Sequence, residues 1–144
     1  MIKNQNTTFF WDNKLRNNAK KIINSPIFLA KNQYVKGFLK KLEGNMLNIG
    51  VGYGILERML LEDETKLKFY GIDISLEAIK NISNQISGIY IKANVVKIPF
   101  NNKIFDVVCA LDILEHLTVD ELNKALVEIV RVLKRNGIFI ISIP

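Results

Sequence analysis

From residue 46 onward, short apolar runs alternate with amphipathic segments. The alternation predicts strands over 46–51, 68–74, 89–93, 106–111 and 137–143, with helices over 55–61, 76–83 and 119–133 between them. Strands separated by helices form right-handed βαβ units, so the expected architecture is α/β: a Rossmann-like three-layer sandwich whose parallel sheet is covered on both faces. Thr118, with Glu121 three positions later, reads as a capping box opening the helix at 119, and Asn136-Gly137 is expected to end it. Upstream, Tyr34, Val35, Phe38, Leu39 and Leu42 recur at helical spacing over 31–42, and Gly44 follows as a stop signal. The stretch 9–23 reads as an earlier helix, broken at Ser25-Pro26. The chain therefore divides into a helical segment over 1–44 and an α/β core over 45–144.

The 144 residues are 49% apolar, enough for one domain with a single hydrophobic core. Charge sharpens the division. Residues 1–44 carry nine Lys/Arg against Asp12 and Glu43, whereas the remainder is close to neutral. An anionic acceptor, a partner or a nucleic acid would be drawn to that basic segment. Phe9, Phe10, Trp11 and Tyr34 lie in the same segment and could stack on bases, but they fit more simply as the apolar face of a lid packed over a ligand mouth. Cys109 is the single cysteine and His116 the single histidine, which excludes an intrachain disulfide and a Cys/His zinc cluster; no metal is expected. The longest early apolar run, Phe9-Phe10-Trp11, is far short of a signal-peptide core or membrane span, so a cytoplasmic protein without a membrane partner is expected.

Candidate chemistry concentrates in Leu47-Asn48-Ile49-Gly50-Val51-Gly52-Tyr53-Gly54, directly after a strand and opening a helix. Alternate glycines let the backbone turn sharply and let a ligand approach where a Cβ would collide. Asp73 follows at the end of the second strand, where a carboxylate can accept both ribose hydroxyls of an adenosine ligand. A nicotinamide-binding loop reads G-x-G-x-x-G, but the sixth position from Gly50 is Ile55 and the third glycine is Gly54. The spacing is G-x-G-x-G, which disfavours a dinucleotide oxidoreductase.

That loop resembles the first motif of the class I S-adenosylmethionine-dependent methyltransferases. The likeness continues through Tyr70-Gly71-Ile72-Asp73-Ile74-Ser75, Ala93-Asn94-Val95-Val96-Lys97-Ile98-Pro99-Phe100, Phe105-Asp106-Val107-Val108 with Leu114-Glu115-His116-Leu117, and Val132-Leu133-Lys134-Arg135-Asn136-Gly137. It covers residues 46–144 in order and is nearest to the mixed group labelled type 11. The resemblance implies S-adenosyl-L-methionine as cofactor and a sheet in the order 3-2-1-4-5. It implies cofactor contacts at Asn48, Gly50, Gly52, Tyr53, Gly54, Asp73, Ile74, Asn94, Val95 and Leu111, with no metal. Two positions depart from the family pattern: Asn48 and Asn94 stand where an acid is usual, so a charge near the methionine ammonium and another near the adenine are lost. His116, as a general base, and Asp112, near the methionine end or the acceptor, are the catalytic candidates. The expected reaction is methyl transfer to a small-molecule acceptor of metabolite or sugar-nucleotide type. The alternatives are an RNA acceptor and a non-catalytic module that binds cofactor or partner. Because the family's sheet normally continues past its fifth strand while this chain stops at Pro144, that strand is expected to be an exposed apolar edge, covered by a second copy, a partner chain or further residues.

Overall fold

The structure is a computed structural model and describes residues 7–143. Two helices, α1 (Thr8–Ile23) and α2 (Pro26–Leu39), precede the core. The core runs β1 (Glu43–Ile49), α3 (Ile55–Leu61), β2 (Lys66–Asp73), α4 (Leu76–Ser83), β3 (Ile89–Lys92), β4 (Phe105–Leu111), a 3₁₀ turn over Leu114–His116, α5 (Val119–Val132) and β5 (Leu133–Ser142). The strands form one parallel sheet in the order β3-β2-β1-β4-β5, as the motif order implied. Period-two alternation divides the core. Met46, Phe69, Val107 and Cys109 face one layer with Leu39, Leu60 and Ile82. Leu47, Ile72, Val108 and Phe105 face the other, against Ala125 and Ile129 of α5.

Local signals explain most element ends. Thr118 and Glu121 form the expected capping box on α5, and Ser75 caps α4 by accepting the Ala78 N–H. Three boundaries differ from the sequence reading. First, α2 begins at Pro26, not near 31, because a proline at the first helical position lacks only an N–H that would have no helical partner. Its buried stripe is also rotated. Asn32, Val35, Lys36 and Leu39 face inward, while Tyr34 is 85% and Phe38 53% exposed. Lys36 joins that stripe by laying its stem against the core and bringing Nζ to 3.1 Å from Asp63. Second, Gly44 is no helix stop. It lies within β1, where a Cβ would fall 2.2 Å from Asp106 Oδ2, the acceptor of the Asn45 N–H. Third, Asn136-Gly137 does not end α5. Leu133 is already extended and pairs with Phe105, while the next pair is Val107 with Ile138, so residues 134–137 form a bulge inside β5.

Candidate functional site

A cavity of about 300 Å³ opens at the carboxyl ends of β1, β2 and β4, where successive connections leave β1 in opposite directions. Its floor is the glycine loop; Trp11, Lys14 and Leu15 of α1 with Phe28, Lys31 and Asn32 of α2 cover it. Several contacts hold α1 down. Tyr53 Oη donates to the Leu15 carbonyl at 2.8 Å, Ser75 Oγ donates to Asp12, and Arg16 pairs with Glu77 at 3.2 Å. Burial raises the pKa of the Tyr53 hydroxyl, consistent with its role as a donor.

The loop is pinned to β2. Gly50 N–H donates to the Ile72 carbonyl at 2.8 Å, and Gly52 N–H donates to Asp73 Oδ2 at 3.0 Å. Gly52 has φ +50 and faces open cavity, its nearest obstacle to a Cβ being the Gly50 carbonyl at 3.9 Å. Gly50 is needed for a different reason: a Cβ there would lie 2.1 Å from Ile113 Cδ1. Gly54 does not reach the cavity wall. It is the N-cap of α3 and abuts Ile82, so its role is to let the helix approach α4, which corrects its expected place beside the ligand.

Asp73 Oδ1 accepts the Ser75 N–H at 2.8 Å while Oδ2 accepts that of Gly52. Each oxygen keeps acceptor capacity, which suits a vicinal diol. Burial raises this carboxyl's pKa; the Ser75 and Gly52 amides oppose the shift and the nearby Asp12 adds to it. Ile74 follows Asp73 in the chain and lines the cavity, as do Val95 and, at the end of β4, Leu111. Asn94 also lines the cavity, but its Oδ1 already accepts the Val96 N–H at 3.1 Å, leaving one lone pair for a ligand.

Asn48 lines the opposite end and is only 5% exposed. Its Nδ2 donates to Glu57 Oε1 at 2.7 Å, and Glu57 is fully buried. Burial raises the Glu57 pKa to about 7, opposed by the Asn48 hydrogen bond. Sequence reasoning missed Glu57 because an acid in the first turn of a helix is ordinary. The available signal was its spacing from Tyr53 and Leu60, four and three residues away, which puts it on the buried side of α3.

Asp112 and His116 both reach the cavity, on the side of β4. Asp112 is already engaged: Lys31 Nζ lies 2.5 and 2.7 Å from its two oxygens, and Ser142 Oγ donates to Oδ1 at 2.9 Å. His116 stacks edge-on to Trp11, with ring centroids 5.0 Å apart, and its Nε2 is 3.9 Å from Glu115. Lys31 was not among the sequence-derived site residues, since nothing local ties it to Asp112, 81 residues away; Trp11, expected on the apolar face over a ligand mouth, lines the cavity. Cys109 is fully buried in the core, and burial drives its thiol pKa upward, so it is not a reactive thiol. Among the described residues no group of three or more His, Cys, Asp or Glu is placed to hold a metal, and no helix is long and apolar enough to cross a membrane.

A family model described as a methyltransferase domain matches residues 47–141. The chain belongs to this methyltransferase family. An uncharacterized protein of Methanocaldococcus jannaschii is 34% identical over 122 residues, which is 80% of this chain and 45% of that protein. Among solved structures, a protein of Pyrococcus horikoshii OT3 is 31% identical with TM-score 0.69, over 83% of this chain and 59% of that one. The N-methyltransferase NodS from Bradyrhizobium japonicum WM9, solved with S-adenosyl-L-homocysteine, has TM-score 0.79 at 17% identity, over 94% of this chain and 72% of its own. That last likeness is one of fold. The chain spans about half the length of the curated relatives it matches.

Proposed function

We propose that this methyltransferase-family chain binds S-adenosylmethionine in the cavity at the β1–β4 switch point and serves methyl transfer to a small-molecule acceptor. The observation that carries the reading is Asp73. A partly buried carboxylate ends β2 with one acceptor site free on each oxygen, beside a loop whose Gly52 leaves open space. The group fits by three tests within the chain: the Asp73 lone pairs suit ribose hydroxyls, the apolar side chains of Ile74 and Val95 in the lining suit an adenine face, and Asn48 offers a polar group. NodS, of the same fold, holds the demethylated form of this cofactor.

When bound, S-adenosylmethionine supplies an electrophilic methyl on a sulfonium, accepted by a nucleophilic O, N or C. The protein's part is mainly orientation and exclusion of water. The loop and Asp73 hold one reactant, and α1 and α2 act as the lid. On the acceptor side, His116 under Trp11 is positioned to take a proton from an acceptor hydroxyl or amine. Asp112 serves through its ion pair with Lys31, orienting the lid rather than meeting the acceptor as a free base. A small acceptor is favoured over RNA because several charges of the basic N-terminal segment are already engaged within the chain: Arg16, Lys31 and Lys36 pair with Glu77, Asp112 and Asp63 of the core, and Lys14 lies over Trp11.

Calorimetric titration with S-adenosylhomocysteine and with NAD tests the cofactor class; saturable binding of the first and none of the second is expected. Transfer of tritium from labelled cofactor into a metabolite extract rather than into RNA tests the acceptor class. Binding of NAD alone would overturn the reading.

A further inference from the structure

Position 48 lacks the acid that the first motif usually carries, yet an acid stands directly behind it. Glu57 is fully buried, its Oε1 is 2.7 Å from Asn48 Nδ2, and its Oε2 has no hydrogen-bond partner. A carboxylate can only accept, so the Asn48 atom facing it must be the amide nitrogen. Planarity of the amide then turns Oδ1 the other way. Asn48 lines the cavity, and among the described residues nothing donates to that oxygen.

We propose that Glu57 is a positioning residue for the amino group of the bound cofactor: it locks the Asn48 amide with its carbonyl toward the cavity and places behind it the negative charge that position 48 lacks. This inference rests on the cofactor reading above. A proton on the unpartnered Oε2 leaves Oε1 free to accept, so the amide orientation holds in both protonation states. Only the ionised state adds charge. The groups that face the carboxyl from other elements are Tyr90 of β3 and Cys109 of β4, neither of them a cation, with Arg58 beside it on α3. The Arg58 guanidinium is turned to the Tyr53 carbonyl at 3.2 Å. Arg58 acts on the carboxyl through its charge but makes no ion pair with it, so a ligand ammonium at Asn48 would add a second cation beside a buried carboxylate that has no salt-bridge partner among the described residues. A purely structural role explains this poorly, since a buried acid with an orphaned oxygen is less stable than an amide or an apolar side chain of similar size.

The test compares S-adenosylhomocysteine, which carries the amino-acid end, with 5′-methylthioadenosine, which shares the adenosine and sulfur but has no ammonium. Glu57→Gln removes the charge and lets both amides turn over. It should weaken S-adenosylhomocysteine about tenfold and leave methylthioadenosine unchanged. Exchanging the pair, Asn48→Asp with Glu57→Gln, presents the acid directly and should recover the homocysteine affinity. A measurement on the unaltered chain stands beside these variants. Near pH 7, calorimetry in buffers of different ionisation heat should show a fraction of a proton released on binding S-adenosylhomocysteine and none on binding methylthioadenosine. Equal weakening of both ligands, no weakening of either, an exchange variant that folds without recovering affinity, or equal proton release would each overturn the positioning role. If the unaltered chain binds neither ligand, the cofactor reading itself fails and takes this inference with it.

Discussion

Two aspartates flank β1 at the same cavity, and they are held in opposite ways. Asp73, ending β2, accepts backbone N–H groups from Gly52 and Ser75, within about two dozen residues of itself. Asp112, just past β4, is claimed by Lys31 from α2, 81 residues away, and by Ser142. Backbone amides orient a carboxylate without cancelling its charge, so Asp73 remains an acceptor for a ligand. An ion pair with bonds to both oxygens neutralises the carboxylate it orients, so Asp112 works as an anchor for the helical cover. The type of partner, more than the position at a strand end, separates the carboxylate left open to a ligand from the one tied to α2.

The Asp73 side of this contrast breaks most sharply at the loop. Gly52→Val would put a branched side chain into the space before Asp73, and S-adenosylhomocysteine affinity should fall by about 100-fold or more in titration calorimetry. The left-handed backbone adds about 1–3 kcal/mol of destabilisation, visible in urea unfolding. Wild-type affinity in a folded variant would mean that the loop is only a turn. Next in size, Asp73→Ala should weaken binding by about 2–4 kcal/mol through loss of two charge-assisted hydrogen bonds. Asp73→Asn, which keeps one carbonyl acceptor, should lose less. Equal losses in the two variants would show that the acid supports the loop rather than the ligand.

What the sequence made legible divides along the same line. The capping box at Thr118, the glycine loop and Asp73 were readable because each is specified by residues close in sequence, whereas the sheet order came from the family resemblance. Asn48 was readable as a departure from the family, but the carboxylate behind it was not: Glu57 looks like a helix-start acid until the fold brings its Oε1 to 2.7 Å from Asn48 Nδ2. Lys31 was invisible for a related reason, and Trp11 was legible as part of the apolar face of a lid but not as the neighbour of His116. The partners Asp112 and His116 lie across the cavity, and neither spacing nor periodicity within α1 or α2 points to them. The rotated face of α2 belongs to the same class. Tyr34 and Phe38 fit an apolar arc by hydropathy, yet the salt bridge of Lys36 to Asp63 lets a charged residue occupy the buried stripe instead.

A third prediction sharpens the contrast between a carboxyl held by neutral donors and one held by a cation. Burial raises the Glu57 pKa from the ordinary 4.5 to about 7. Between those pH values the folded chain binds more protons at this site than the unfolded chain does. The site's contribution to stability is therefore full below pH 4.5 and is lost as pH rises through 7, a change of about 3 kcal/mol. Glu57→Gln does not titrate. Its stability in urea, relative to the parent, should rise by that amount between pH 4.5 and 8, even as its affinity for S-adenosylhomocysteine falls. A pH-independent difference would show that the carboxyl is not held in a desolvated site.

The smallest expected effect isolates the latch. Lys31 and Asp112 are both partly exposed, with side chains 24% and 30% accessible, so Lys31→Ala should destabilise the fold by no more than about 1 kcal/mol. The kinetic consequence should be larger than the thermodynamic one, because the pair ties α2 to the far wall of the cavity while the rest of α2 packs on the core through Val35 and Leu39. Loosening that tie would raise the rate at which a ligand leaves. Trp11 is the single tryptophan and lines the same cavity, so its fluorescence reports the cover directly. In stopped-flow displacement, S-adenosylhomocysteine release should be several-fold faster from Lys31→Ala than from the parent. Arg16→Ala serves as the control: it breaks the more exposed pair with Glu77, on α4 rather than across the cavity, and should leave the release rate unchanged. Equal acceleration in both variants would mean that any loosening of the helical segment speeds release, and an unchanged rate in Lys31→Ala would remove Asp112 from the closing mechanism and return it to the acceptor side as a free carboxylate.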